Sequence, residues 1–229
     1  MTTSRSSSSL DSLGVLFHSH PWHGVPLGDD APALVTCYIE IVPTDVVKYE
    51  LDKITGLLRV DRPQKFSNVC PSLYGLLPRT LCGPRVAARA AVVAGAAEIV
   101  GDDDPLDICV LTERAISHGN ILVDAVPIGG FRMIDGAEAD DKIIAVLAGD
   151  LVYGQLAGIE DCPQPLIDRL RHYFLTYKQA PDQAAPACQI VEIYGQAEAR
   201  AVITASQDDY EEMFGGLREL VANALIPSK

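Results

Sequence analysis

A chain of 229 residues, 48% of them hydrophobic, can bury one sizeable core and is too apolar for a disordered body. Its formal net charge of −13 argues against a nucleic-acid partner, because phosphate backbones are met by Lys and Arg; an acidic surface either collects cations or only keeps the protein soluble. The six cysteines form no CxxC pair and have no zinc spacing, so reduced thiols and a cytoplasmic setting are the default expectation.

The opening segment MTTSRSSSSLDSLG lacks the apolar run of a secretory signal and reads as part of an N-terminal arm, residues 1–30. In FHSHPWHG, the histidines His18, His20 and His23 fit no metal motif; the arm is expected to pack Trp22 on the body. From Leu34 to Leu147 short runs follow one another: LVTCYIEI, VVKYELD, LLRVD, DICVLT, ILVDAVPI and KIIAVL. They are rich in Val, Ile and Leu, and Gly, Pro and Asp separate them, which predicts strands of an antiparallel barrel or sandwich. In KYELD, Lys48, Glu50 and Asp52 share one face of a strand. The Ala-rich stretch from Pro84 to Val100 reads as an insertion, helical or loop. Arg89 and Glu98 interrupt it, and it is too short to span a membrane. From Gln164, apolar residues at Leu166, Leu170, Phe174 and Tyr177 repeat with helical period, and Pro181 is expected to stop that helix. A second helix is expected to include AEARAVITASQDDYEEMF. The fold class is therefore α+β, mainly β: a small barrel in a single domain over residues 31–229, with helices packed on it afterwards.

Four carboxylates crowd the segment GDDDPLD at Asp102, Asp103, Asp104 and Asp107. Like charges that close repel, so the segment is either a solvated loop or a place where cations sit. An EF-hand fails: Asp107 stands where that loop needs Gly, and an apolar run follows where it needs oxygen ligands. A rigid corner at Pro105 before a strand opening at Asp107 can aim carboxylates at one spot. A second cluster, Asp135, Asp140, Asp141 and Lys142, stands at the start of another strand. Hard oxygen donors without organised His or Cys suit Mg²⁺, Mn²⁺ or Ca²⁺ rather than zinc. Lys48, Arg62, Lys142, Tyr177 and Lys178 add cations and phenols, the complement needed for phosphoryl chemistry. Singly, each would pass for a surface ion pair.

Asp102-Asp103-Asp104-Pro105-Leu106-Asp107 resembles the D-x-D-P-x-D signature of the soluble family I inorganic pyrophosphatases. IEIVPTDVVKYELDK, VDRPQKFSNVCPSLYG, IDGAEADDKIIAV and HYFLTYK resemble the family's other active-site segments in order, over roughly Glu40 to Arg200. HPWHG and the insertion before Gly101 are most similar to the branch found in chlamydiae. The resemblance implies a five-stranded OB-like barrel with flanking C-terminal helices. It further implies hydrolysis of pyrophosphate by a Mg²⁺-activated water in direct in-line attack, with Mn²⁺ or Zn²⁺ as substitute metals. Asp102, Asp107 and Asp140 would ligate the first metal, and Asp107 would bridge to a second. Asp135 and Asp140 would hold a metal arriving with substrate, with Glu50 and Glu40 acting through waters. Asp104 would deprotonate the nucleophilic water. Lys48, Arg62, Tyr74, Lys142, Tyr177 and Lys178 would bind pyrophosphate and the departing phosphate. Asp103 has no role and should face solvent. A homo-oligomer is implied, with no nucleic-acid or membrane partner.

The chain departs from the family at three places. Cys70 stands where a tyrosine is usual, a change expected to shift metal affinity or pH optimum; the pH profile of Cys70→Tyr tests this. Glu40 lies one residue nearer Lys48 than in the bacterial pattern. The Pro84–Val100 insertion bears on how subunits pack. The alternative reading is a non-catalytic module that binds metal and phosphate. A decayed enzyme should have lost Asp104, Asp107, Lys48, Arg62 or Lys142, and all five are present.

Overall fold

The computed structural model describes residues 19–96, 98–180 and 188–225. The segment MTTSRSSSSLDSLG, His18 and Pro181 lie outside the described residues. Five strands close a ring. β1 (Val35–Ile41) pairs antiparallel with β4 (Leu73–Leu76), and β4 with β6 (Asp107–Leu111). β6 runs parallel to β9 (Lys142–Leu147), β9 pairs antiparallel with β7 (Ile121–Asp135), and β7 returns to β1. Closing the ring removes the free edges that an open sheet would expose. DICVL and KIIAVL form the β6–β9 pair and are apolar nearly throughout, because their residues are buried on both faces. This is the OB-like barrel with C-terminal helices that the resemblance implied; the strand pattern pointed to an antiparallel barrel or sandwich, and the parallel β6–β9 pair departs from that expectation.

β7 is longer than ILVDAVPI suggested, 15 residues in all. It continues through Pro127 because the register with β9 shifts between Pro127 and Gly129, leaving Ile128 as a bulge. A proline within a sheet is accommodated at such bulges. The far half of β7 pairs with β10 (Cys188–Gly195), a strand the sequence reading did not foresee, as it did not foresee β4. β2 (Val47–Leu51) and β3 (Leu58–Pro63) form a separate hairpin. The short strands β5 (Val100–Gly101) and β8 (Glu138–Ala139) pair in parallel beside the end of β7.

The Ala-rich insertion resolves into helix α1 (Pro84–Ala94), which buries Val86, Ala87 and Ala90. Pro84 starts it and Gly95, at φ 64°, ends it in the left-handed conformation that glycine allows. Its leading residue, Gly83, has no capping side chain, so the carboxylate of Asp209 accepts from the backbone N–H of Arg85 at 3.0 Å and of Val86 at 3.3 Å. Asp209 belongs to α3 (Gln196–Leu225), the second predicted helix. α2 (Gln164–Thr176) buries Leu166, Ile167, Leu170, Tyr173 and Phe174, the face read from the sequence, and packs them on Phe131 and Ile144. As expected of the arm, Trp22 is buried against Tyr38, Leu51, Leu76, Leu81 and Tyr210, and its indole N–H donates to Thr80 O at 2.8 Å. All six cysteines are free and buried. No helix among the described residues is long and apolar enough to cross a membrane.

Candidate active site

A cavity of about 350 Å³ opens at one mouth of the barrel. Each element brings a few side chains to it. The bulge in β1 falls at Glu40, which has no partner in the register with β4, where Ile39 faces Gly75 and Ile41 faces Tyr74. A bulge re-aims its side chain, and Glu40 lies buried in the cavity wall with Oε1 accepting from Leu51 N at 2.6 Å. The hairpin delivers Lys48 and Glu50 from alternate positions of β2, 3.6 Å apart. The GDDDP segment turns at Asp103, which has φ 58° and faces solvent as expected, and Asp102 accepts from Asp104 N at 2.9 Å. That turn sends Asp102 and Asp104 into the cavity and starts β6 at Asp107. Asp135 closes β7 rather than opening the next strand; Gly136 and Ala137 make the turn to β8, and Asp140 and Lys142 then lead into β9. Tyr177 and Lys178 follow the last residue of α2 and complete the wall.

Of the thirteen side chains expected to act, twelve line this cavity: Glu40, Lys48, Glu50, Tyr74, Asp102, Asp104, Asp107, Asp135, Asp140, Lys142, Tyr177 and Lys178. Arg62 is not among the lining residues. It lies opposite Lys48 on the hairpin and pairs with Asp61, whose carboxylate also lies 3.3 Å from the Lys48 ammonium. Three polar lining residues were missed: Lys53, Glu138 and Tyr173. Lys53 pairs with Asp104 across the mouth. Cys70 is fully buried beneath the wall, with the Tyr173 hydroxyl against its thiol.

Eight carboxylates face four lysines in the cavity wall. The lysines are already engaged: Lys142 bridges Asp107 and Asp140, Lys178 holds Asp135, and Lys53 holds Asp104. Tyr74 donates to Asp107 at 2.6 Å. Burial, then Asp140 and Asp107, push the Asp102 carboxyl up to about 7, against the pull of its bond from Asp104 N. Burial and Asp107 likewise raise Glu40 to about 8. Burial alone would lower the Lys142 ammonium, but Asp107 and Asp140 outweigh it and hold it well above its ordinary value. No three acidic, His or Cys side chains among the described residues converge tightly enough to mark a metal site, and lysine ammoniums stand between several of the carboxylates. The donor set still fits hard divalent cations. It is all oxygen, it carries excess negative charge, and buried carboxyls with raised pKa values are the groups an added cation stabilises.

A closed barrel whose mouth gathers carboxylates, ammoniums and phenols suits a hydrolase of phosphoric anhydrides. The family model described as inorganic pyrophosphatase matches residues 37–211. An inorganic pyrophosphatase of Chlamydia caviae is 57% identical over 199 residues, covering 85% of this chain and 92% of that protein. One from Chlamydia trachomatis is 55% identical over 200 residues, covering 86% and 96%. The crystal structure of inorganic pyrophosphatase from Thermus thermophilus matches with a TM-score of 0.70 and 26% identity, over 84% of this chain and 99% of that one. The chain belongs to the inorganic pyrophosphatase family.

Proposed function

We propose that the cavity hydrolyses inorganic pyrophosphate to two phosphates with Mg²⁺ as its metal. The activity follows from the family and from the relatives' names, which do not favour the non-catalytic alternative. The observation that carries the metal requirement is the charge balance: a polyanion cannot enter a wall of eight carboxylates and four lysines without added cations. Asp102, Asp107, Asp135 and Asp140 would hold them directly, Glu50 and Glu40 through waters. Mn²⁺ and Zn²⁺ would serve as substitutes. Bound divalent cations lower the pKa of water and neutralise phosphate oxygens.

The chain's own residues do the rest. Asp104 accepts a proton from the attacking water as its oxygen bonds to one phosphorus. The P–O bond to the second phosphate opens in line. Lys142, Lys178, Tyr177 and Tyr74 receive the charge of the departing phosphate, and Lys48 and Arg62 orient the other end. Lys53, paired with Asp104, must release it for proton transfer. A single domain over residues 31–229, a homo-oligomer and a cytoplasmic setting complete the proposal.

The test is phosphate release from pyrophosphate with Mg²⁺ and with EDTA, for the native chain and Asp104→Asn. The expected outcome is release that needs Mg²⁺ and falls at least about a hundredfold in the variant, the scale for losing a positioned proton acceptor. Undiminished release by the variant would remove Asp104 from the role of base.

A further inference from the structure

We propose that Arg132 is a positioning residue for the metal-binding carboxylate Asp140, and that Arg89 extends this hold to the inserted helix α1. The inference rests on the reading of Asp140 as a ligand. Along an extended segment, alternate side chains point to opposite sides. Asp140 and Lys142 both line the cavity, so Asp141 between them points away from it, into the protein. There its carboxylate is fully buried and meets Arg132 at 2.9 Å. The Tyr194 hydroxyl donates to the same oxygen at 3.1 Å. Gly130 makes room for that tyrosine: a Cβ there would stand 2.5 Å from its hydroxyl oxygen.

Arg132 is itself 1% exposed and is the hub of the cluster. From β7 it also reaches Glu192 of β10, at 3.2 Å, and Glu198 of α3. Its guanidinium lies 4.8 Å from the centroid of the Tyr194 ring. Glu198 in turn accepts from Arg89 of α1, with Nε at 3.0 Å. A chain of charge-assisted bonds therefore runs from α1 through α3 and β7 to the residue between Asp140 and Lys142. One guanidinium N–H and the Tyr194 hydroxyl converge on a single Asp141 oxygen, while the other guanidinium donors go to Glu192 and Glu198, so the planar group anchors Asp141 to β10 and α3 through that oxygen. Any twist of Asp141 about the backbone would swing Asp140 and Lys142 out of the cavity wall. The cluster thus sets the aim of the carboxylate before a cation arrives, which gives α1 a function the Ala-rich sequence does not display.

Mn²⁺ binding to the full chain without pyrophosphate, read by calorimetry, tests this beside thermal unfolding. The variants are Asp140→Asn, Arg132→Met, Arg132→Lys and Arg89→Ala. Arg132→Met is expected to weaken Mn²⁺ binding about tenfold or more, the scale for losing a partner behind a metal ligand. Arg132→Lys should fall between that variant and the native chain, and Arg89→Ala should weaken binding about threefold. A merely structural role would lower the unfolding midpoint and leave the folded protein's Mn²⁺ affinity alone. If Arg132→Met does not fold, the other two arginine variants decide. Native affinity in folded Arg132→Lys and Arg89→Ala, with binding lost in Asp140→Asn, overturns the inference by itself. Native affinity in Asp140→Asn overturns the ligand reading and the inference with it.

Discussion

His23 stacks on Trp22 with ring centroids 4.4 Å apart, and its Nδ1 lies 2.9 Å from the Tyr210 hydroxyl. Burial, and after it the neighbouring His20, bring its pKa down to about 4. The docked ring is neutral, whereas an undocked histidine takes up a proton near 6.5. The docked pKa lies below the free value, so the contribution of His23 is complete above about pH 6.5 and is lost as pH falls towards 4. Trp22 is the sole tryptophan of the chain, so its fluorescence reports the arm. Its emission is expected to shift to longer wavelength between pH 6.5 and 4, and His23→Phe should remove the change in that window. A flat profile in the native protein would sink the assignment. At this scale the acidic site was legible, because four aspartates in six positions are costly without cations. Lys53 was not: beside Asp52 it reads as a solvated ion pair, and its actual partner, Asp104, lies 51 residues away in sequence.

Among elements, α1 shows what pattern reading lacks. Proline at its start and glycine after its end were readable punctuation, but its cap comes from another helix. Asp209→Ala leaves the N–H groups of Arg85 and Val86 without their acceptor. Losing a cap costs about 0.5–2 kcal/mol, so the thermal midpoint should fall by roughly 1–8 °C for a chain of this size. Asp209→Asn, which keeps an acceptor oxygen, should fall less; equal losses would mean that the charge pair with Arg85 matters and the cap does not. β10 was missed for a different reason. Its alternation breaks in the middle: Cys188 and Tyr194 are buried, but Val191 and Ile193 face solvent while the half-buried Glu192 between them reaches Arg132. Alternation rules assume the apolar set is the buried one. β7 shows the opposite case, where the readable run ILVDAVPI stopped at Ile128, before Gly129 and Gly130, and the real strand continues past a bulge to Asp135.

For the whole molecule, a net charge of −13 is carried with eight carboxylates in one cavity wall. A cation that binds the folded chain and not the unfolded one stabilises it by mass action, by about 2.7 kcal/mol at a hundred times its Kd. Scanning calorimetry with saturating Mg²⁺ is therefore expected to raise the thermal midpoint by roughly 5–11 °C over EDTA. Sodium chloride at equal ionic strength should do much less; an equal shift would reduce the effect to screening of surface charge.

The length of β7 has a consequence for synthesis. That one strand pairs with β1, β9, β8 and β10. On the ribosome, Val35 must wait for Ala125 before it finds its partner, and the ring cannot close until Leu147 has emerged. Pairings this distant in sequence are slow to form and leave strand edges open meanwhile. Lys178 arrives later still, so a nascent chain holds its acidic half-site before the last lysine of the wall can balance it.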